Sequence, residues 1–231
     1  MHTPDSSRKR RITRMLVATA LVIALCQFVL AESHAAMQGK REQLISILGV
    51  TLEEINHEMR PVGTVAHLIV SFEERTDNSG LILQFRATPG KFSPMAQTSI
   101  QQAIYRASGA AGLDASSWTV VMSVPYPGVT IYGDSLSAMV GLSVVALARG
   151  EFIPPDRVIT GSVSPDGHIL PVGSISLKVD AANLAHIRRV LVPDELDIAD
   201  NEWRTPFLMH VSPVSSLSQA YFALTDRPLR R

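Results

Sequence analysis

The chain has 231 residues, 46% of them hydrophobic and 18% charged, and its 21 basic residues balance 21 acidic ones. That length accommodates one medium domain with additions, and the composition is that of a folded chain. A zero net charge without a basic stripe gives no nucleic-acid footprint.

The charge is nevertheless uneven. Arg8, Lys9, Arg10, Arg11 and Arg14 crowd the N-terminus, with Asp5 as the one acid among residues 1–31. The apolar run MLVATALVIALCQFVLA follows over 15–31. A basic stretch before an apolar run reads as a targeting segment, so residues 1–35 are assigned to a signal peptide or an N-terminal membrane anchor. Val29-Leu30-Ala31 and Ser33-His34-Ala35 are its small-residue cleavage patterns. In either form the basic end stays in the cytoplasm, and the body is expected outside it, periplasmic or held at an inner membrane. Cys26, the only cysteine, lies inside the run. The body therefore has neither an intramolecular disulfide nor a cysteine nucleophile.

Residues 36–60 read as a helical spacer. Leu44, Ile47 and Leu48 fall at helical spacing, Gly49 can end that helix, and Thr51 with Glu54 forms a capping-box pattern before a second. The stretches VGTVAHLIVSFEER and SGLILQFRAT predict two strands joined as a hairpin at Asp77-Asn78-Ser79-Gly80. An amphipathic helix is predicted from Pro94 to about Ser108, with Met95, Ile100, Ala103 and Ile104 for its buried face. WTVVMSVP (118–125) is a strand suited to a central position. The run from Ser135 to Arg149 predicts a helix apolar nearly all round, hence buried on most sides. Asp134 or Ser135 is its candidate N-cap. Arg157–Thr160 and His168–Leu170 read as strands about the Asp166-Gly167 turn. Ser174 is placed to cap a further helix. A strand at RRVLVP (188–193), an acidic loop over 194–202, a strand at 207–213 and a helix at 215–224 complete the chain.

Chemistry concentrates between Gly133 and Lys178. Ser135 stands in a small-residue turn at a helix start, and Lys178 sits among Ile175, Leu177, Val179, Ala181 and Ala182. A serine hydroxyl is a poor nucleophile until a base takes its proton. A lysine serves as that base only where burial favours its neutral form. Each residue alone has a plainer reading, a helix cap for Ser135 and a solvated or snorkelling side chain for Lys178. The seven histidines are dispersed, and His168 and His186 fit strand and helix-end packing better than a Ser-His pair. No HExxH spacing and no glycine-rich phosphate loop occur, so neither a metal nor another cofactor is implied.

The motifs GDSLS (133–137), TGS (160–162), DGHILPVGS (166–174) and Lys178 resemble, in order and spacing, the proteolytic domain of Lon proteases. That family has a PKDGPSAG-type serine motif, then a TGE…G.VLPIGG…K segment ending on a lysine. The likeness extends to ATPGKFSPMAQTSIQQAI (87–104), VPYPG (124–128) and RRVLVP, and covers roughly residues 62–225. It implies an α+β fold, the mixed α/β sandwich of that domain, over residues 61–231. It further implies Ser135 as nucleophile and Lys178 as general base. Thr160 would orient Lys178 through its hydroxyl, and Asp134 would support the turn. Family domains form hexameric rings, so a homo-oligomer is an expectation of the same kind.

Three elements depart from the family pattern: Ser137 replaces a glycine, Ser162 an acid, and Thr130-Ile131-Tyr132 the PKD element. The sequence also lacks a Walker A motif. The expected protein is thus an ATP-independent endopeptidase acting on peptides or unfolded proteins. The alternatives are a membrane-associated binding or assembly protein that keeps the fold without the chemistry, and a protease that cuts itself once.

Overall fold

The computed structural model describes residues 39–195 and 205–230. The chain divides into two units, Met1–Lys40 and Arg41–Arg231, and the elements below belong to the second, apart from Lys40 at the start of the first strand. The targeting segment, its cleavage patterns and Cys26 lie outside the described residues, as does most of the acidic loop. Among the described residues no helix is long and apolar enough to cross a membrane.

The fold is α+β. Its strands are β1 (Lys40–Ile55), β2 (Glu58–Glu74), β3 (Ile82–Phe85), β4 (Lys91–Phe92), β5 (Trp118–Ser123), β6 (Thr130–Ile131), β7 (Arg157–Ile159), β8 (Ser162–Val163), β9 (Ile169–Leu170), β10 (Arg189–Pro193) and β11 (His210–Val214). Its helices are α1 (Pro94–Ala110), α2 (Ser137–Ala148), α3 (Ile175–Leu184) and α4 (Leu217–Thr225). The largest sheet has the order β1-β2-β5-β3, and a second, all-parallel sheet runs β11-β10-β7. Two small pairs, β4 with β6 and β8 with β9, bridge the loops near the site described below.

The helical spacer is not there. Residues 40–55 are a strand that turns at Asn56-His57, both with left-handed φ (55° and 67°), straight into β2. Asn and His tolerate that conformation better than most residues, and two such residues in a row make a tight hairpin turn. The helical spacing of Leu44, Ile47 and Leu48 misleads because Ile45 to Leu48 are buried without a break, so neither periodicity is visible. The Thr51–Glu54 capping box has no helix to cap. The hairpin is tied to the body at its base. Arg41 donates to the carbonyls of Leu147 (2.5 Å) and Ala148 (2.9 Å) at the C-terminal end of α2.

The expected hairpin at residues 77–80 is also corrected. β5 lies between β2 and β3, antiparallel to the first and parallel to the second. The segment after β2 wraps the start of β5 instead of folding back on itself. Arg75 fixes it, donating to the carbonyls of Trp118 (2.6 Å), Gly80 (2.7 Å) and Ser116 (3.1 Å). The central position read for β5 is the observed one. Its Trp118, Val120 and Met122 face the core, and Phe72 meets Trp118 edge-on at 5.3 Å between ring centroids.

Helix α1 starts where expected, with the Ser93 hydroxyl accepting from the Ala96 amide at 3.2 Å and Pro94 at the first helical position. Its buried face is Ala96, Ile100, Ala103, Ile104 and Ala107; Met95 instead is 66% exposed, one position off that stripe. Helix α2 is buried from Ser137 to Leu147 and packs on α1, as its all-round apolar sequence requires.

Candidate active site

The chain approaches α2 through a turn at Gly133, whose φ of 82° suits a residue without a Cβ. The helix begins at Ser137, two residues later than expected, with Leu136 in the cap position and no side chain capping it. Asp134 and Ser135 are therefore not N-caps. The Asp134 carbonyl accepts from the Ser137 amide at 2.9 Å, closing the turn. Ser135 is left half-buried in that turn rather than inside the helix.

The Thr160-Gly161 pair clamps this turn from the side. The Gly161 amide donates to the Ser135 carbonyl at 2.8 Å, and the Gly161 carbonyl accepts from the Ala138 amide at 3.2 Å. The Thr160 hydroxyl also points at the Ser135 carbonyl, at a long 3.5 Å. Gly161, the middle residue of the TGS motif, has no side chain to contribute. Its role is carried by backbone groups that only the fold brings to Ser135.

Lys178 lies one turn into α3 and is 4% exposed. Ile175, Val179 and Ala182 are buried on the same helix. Lys178 shares their stripe, at spacings of three, one and four residues. The helix that carries it rests on β2 at Gly63. A Cβ built on Gly63 would stand 1.8 Å from the Leu177 carbonyl oxygen, so only glycine fits there. The residue before α3, Ser174, adopts φ 61°, and its carbonyl accepts from the Lys178 amide at 3.2 Å. Ser174 occupies the cap position as expected, yet its hydroxyl makes no cap bond.

These elements enclose a groove of about 930 Å³. Ser135 and Lys178 both line it, together with Gly173 and Ser174, the 47–52 stretch of β1, residues 64–66 of β2, and Val129 to Tyr132. Asp134 is exposed and Thr160 is buried beneath the turn; neither is among the lining residues. His168 is exposed beside Asp166 (3.4 Å), and His186 lines a different cavity with Arg188 and Arg189. Neither reaches the groove, which removes the Ser-His scheme. Of the departures noted above, Ser137 and Ser162 are buried, while Tyr132 is 73% exposed at the groove.

An α+β domain with a serine turn and a buried lysine on one groove is the class that fold and site define. The chain belongs to the Lon protease (S16) C-terminal proteolytic domain family, which it matches over residues 91–217. It is similar to an archaeal Lon protease of Methanothermobacter thermautotrophicus, 33% identical over 135 residues, covering 51% of this chain and 20% of that protein. The archaeal Lon protease of Thermococcus kodakarensis is 28% identical over 142 residues, 60% of this chain and 22% of its own length. A Lon protease of Phenylobacterium zucineum is 32% identical over 93 residues, covering 38% and 12%. The chain thus spans about a fifth or less of the length of these relatives.

Proposed function

We propose that this protein is a serine endopeptidase in which Lys178 acts as general base for Ser135. The observation that carries the reading is that an accessible serine and a buried lysine, from different elements, line one groove. Burial disfavours the charged ammonium and so favours the neutral amine a general base requires. In the proposed mechanism Lys178 takes the Ser135 hydroxyl proton as the oxygen attacks a peptide carbonyl. The resulting lysine ammonium returns that proton to the leaving amine. Water, activated by the same lysine, then hydrolyses the acyl-enzyme. The amides of Ser137 and Ala138 already donate to Asp134 and Gly161. The oxyanion is therefore assigned to amides of the preceding turn. Thr160 and Gly161 contribute by holding the Ser135 backbone.

The substrate class proposed is peptides and unfolded proteins, cleaved without ATP, because these 231 residues carry no nucleotide-binding motif. Action outside the cytoplasm is proposed from the basic and apolar N-terminal sequence, and assembly into a homo-oligomer from the family. The test is incubation of the full chain with casein in the absence of ATP, beside its Ser135→Ala and Lys178→Ala variants, followed by mass spectrometry. Fragments from the unsubstituted chain alone are the expected result. Fragments from either variant at the same rate would refute the dyad, and none from any chain would favour a fold retained for binding.

A further inference from the structure

The parallel sheet β11-β10-β7 starts all three strands at one edge, where Arg157, Arg189 and His210 stand in register. Like charges side by side on a sheet repel. Asp226 and the last carbonyls of α4 engage Arg157 and Arg189. Nothing comparable answers His186, Arg188 and His210. Among the described residues their side chains make no ion pair or hydrogen bond, and all three are exposed.

These residues line a cavity of about 680 Å³, a size typical of ligand sites. It shares no lining residue with the Ser135–Lys178 groove, and Asp156 is the one acid in its wall. The backbone around it is fixed. The amides of Arg188 and Arg189 both donate to the Asp156 carbonyl at 3.0 Å, and the His210 amide donates to the Arg188 carbonyl at 2.8 Å. Beside the cations the wall is apolar: Phe207 and Leu208 line it while 89% and 80% exposed. Leu208 is held there at φ 66°, a left-handed conformation unfavourable for leucine. Strain of this kind collects at ligand sites.

We propose that this cavity docks an acidic segment of a partner protein that also carries apolar side chains. Arg188 and the imidazole N–H groups donate to its carboxylates, and its apolar side chains cover Phe207 and Leu208. A free anion such as phosphate would satisfy the cations and leave the apolar wall bare. Because the cavity and the groove are lined by different residues, the proposal does not depend on the peptidase reading.

The test uses the full chain carrying Ser135→Ala and a fluorescein-labelled peptide of alternating aspartate and leucine, with binding read by anisotropy. Replacing the aspartates by asparagine, or the leucines by serine, should each weaken binding about tenfold or more. Arg188→Glu and Phe207→Ser should each do the same, while Lys91→Glu, at an exposed lysine outside the cavity, should leave binding unchanged. Binding indifferent to Arg188→Glu, or weakened equally by Lys91→Glu, would overturn the proposal. Full binding by the serine peptide, or displacement of the aspartate–leucine peptide by an equal concentration of inorganic phosphate, would reduce the cavity to a bare anion site and overturn it too. Self-association in sedimentation without peptide, abolished by Arg188→Glu, would make the occupant a second copy of this chain instead of a partner protein. Casein cleavage by the unsubstituted chain is a separate readout: peptide binding without cleavage keeps the docking cavity and removes the peptidase, and cleavage without peptide binding does the reverse.

Discussion

At the scale of single residues, the site depends on positions with little or no side chain. Gly63 is one: the Leu177 carbonyl occupies the space a methyl group would need. Gly63→Ala must push α3, and Lys178 with it, away from β2. Overpacking of this kind costs about 1–3 kcal/mol of stability. Displacement of a catalytic group by an ångström costs up to about a hundredfold in rate. We therefore expect kcat on a peptide substrate to fall by at least about tenfold in a variant that still melts cooperatively. Unchanged kcat would show that α3 is not held through this contact. Ser174 is the opposite case, a side chain where the backbone asks for glycine. It stands at the second glycine of the family's LPIGG pattern and adopts φ 61°. A left-handed conformation costs a non-glycine residue about 1–2 kcal/mol. Ser174→Gly should raise stability by about 1 kcal/mol with hydrolysis retained, measured by thermal melting and initial rates.

At the scale of elements, helix ends are held by side chains from distant strands. The last carbonyls of α4 accept from Arg157 (Ala223 at 3.2 Å, Leu224 at 3.1 Å) and from Arg189 (Ala223 at 2.9 Å). Asp226, at the C-cap with φ 57°, pairs with both arginines, at 2.5 Å and 3.6 Å. The hydrogen bond from Arg157 holds the Asp226 carboxyl below the usual aspartate value of 3.8, with the charges of Arg157 and Arg189 adding to it. A group whose pKa is depressed on folding stabilises the protein above its unfolded value and loses that contribution as pH falls through its folded value. Asp226→Asn keeps a residue that tolerates the left-handed conformation and removes the charge. It should melt below the parent at neutral pH, and the gap should close as the pH falls below about 4. A gap that persists in acid would assign the effect to packing. This pair of strand arginines is also why α4 can end where it does, against β7 and β10.

At the scale of the whole molecule, burial is distributed in a gradient across the site. Every residue of α2 from Ser137 to Leu147 is buried, while residues 50–61 at the end of the hairpin are exposed. Local opening follows such differences. Hydrogen exchange read by mass spectrometry should find the α2 amides among the slowest in the protein and the hairpin end among the fastest. Equal protection of the two would mean that the hairpin end is covered in solution. The Ser135 turn thus sits on the buried side of the groove and the hairpin end on the exposed side.

The order of motifs from Gly133 to Lys178 was legible in the sequence because it is local: a turn, an apolar helix, short strands and a helix follow one another with fixed spacing. The burial of α1, α2 and β5 was legible for the same reason, since periodicity and apolar content are properties of a segment. The side on which Lys178 faces could have been read from Ile175, Val179 and Ala182, which place it on their stripe. What the segments could not reveal was their pairing. The hairpin of β1 and β2 was hidden by an unbroken buried run and an Asn-His turn without glycine. The insertion of β5 between β2 and β3 was hidden by a loop that reads equally well as a hairpin. Gly161 meets Ser135, and Gly63 meets Leu177, through backbone atoms, which have the same chemistry in every residue and leave no mark in composition. The sequence by itself determined the family, the helices and the candidate serine and lysine. Only the tertiary structure decided that both line one groove, and that the β1–β2 hairpin supplies part of its wall, because such contacts join residues far apart in the chain.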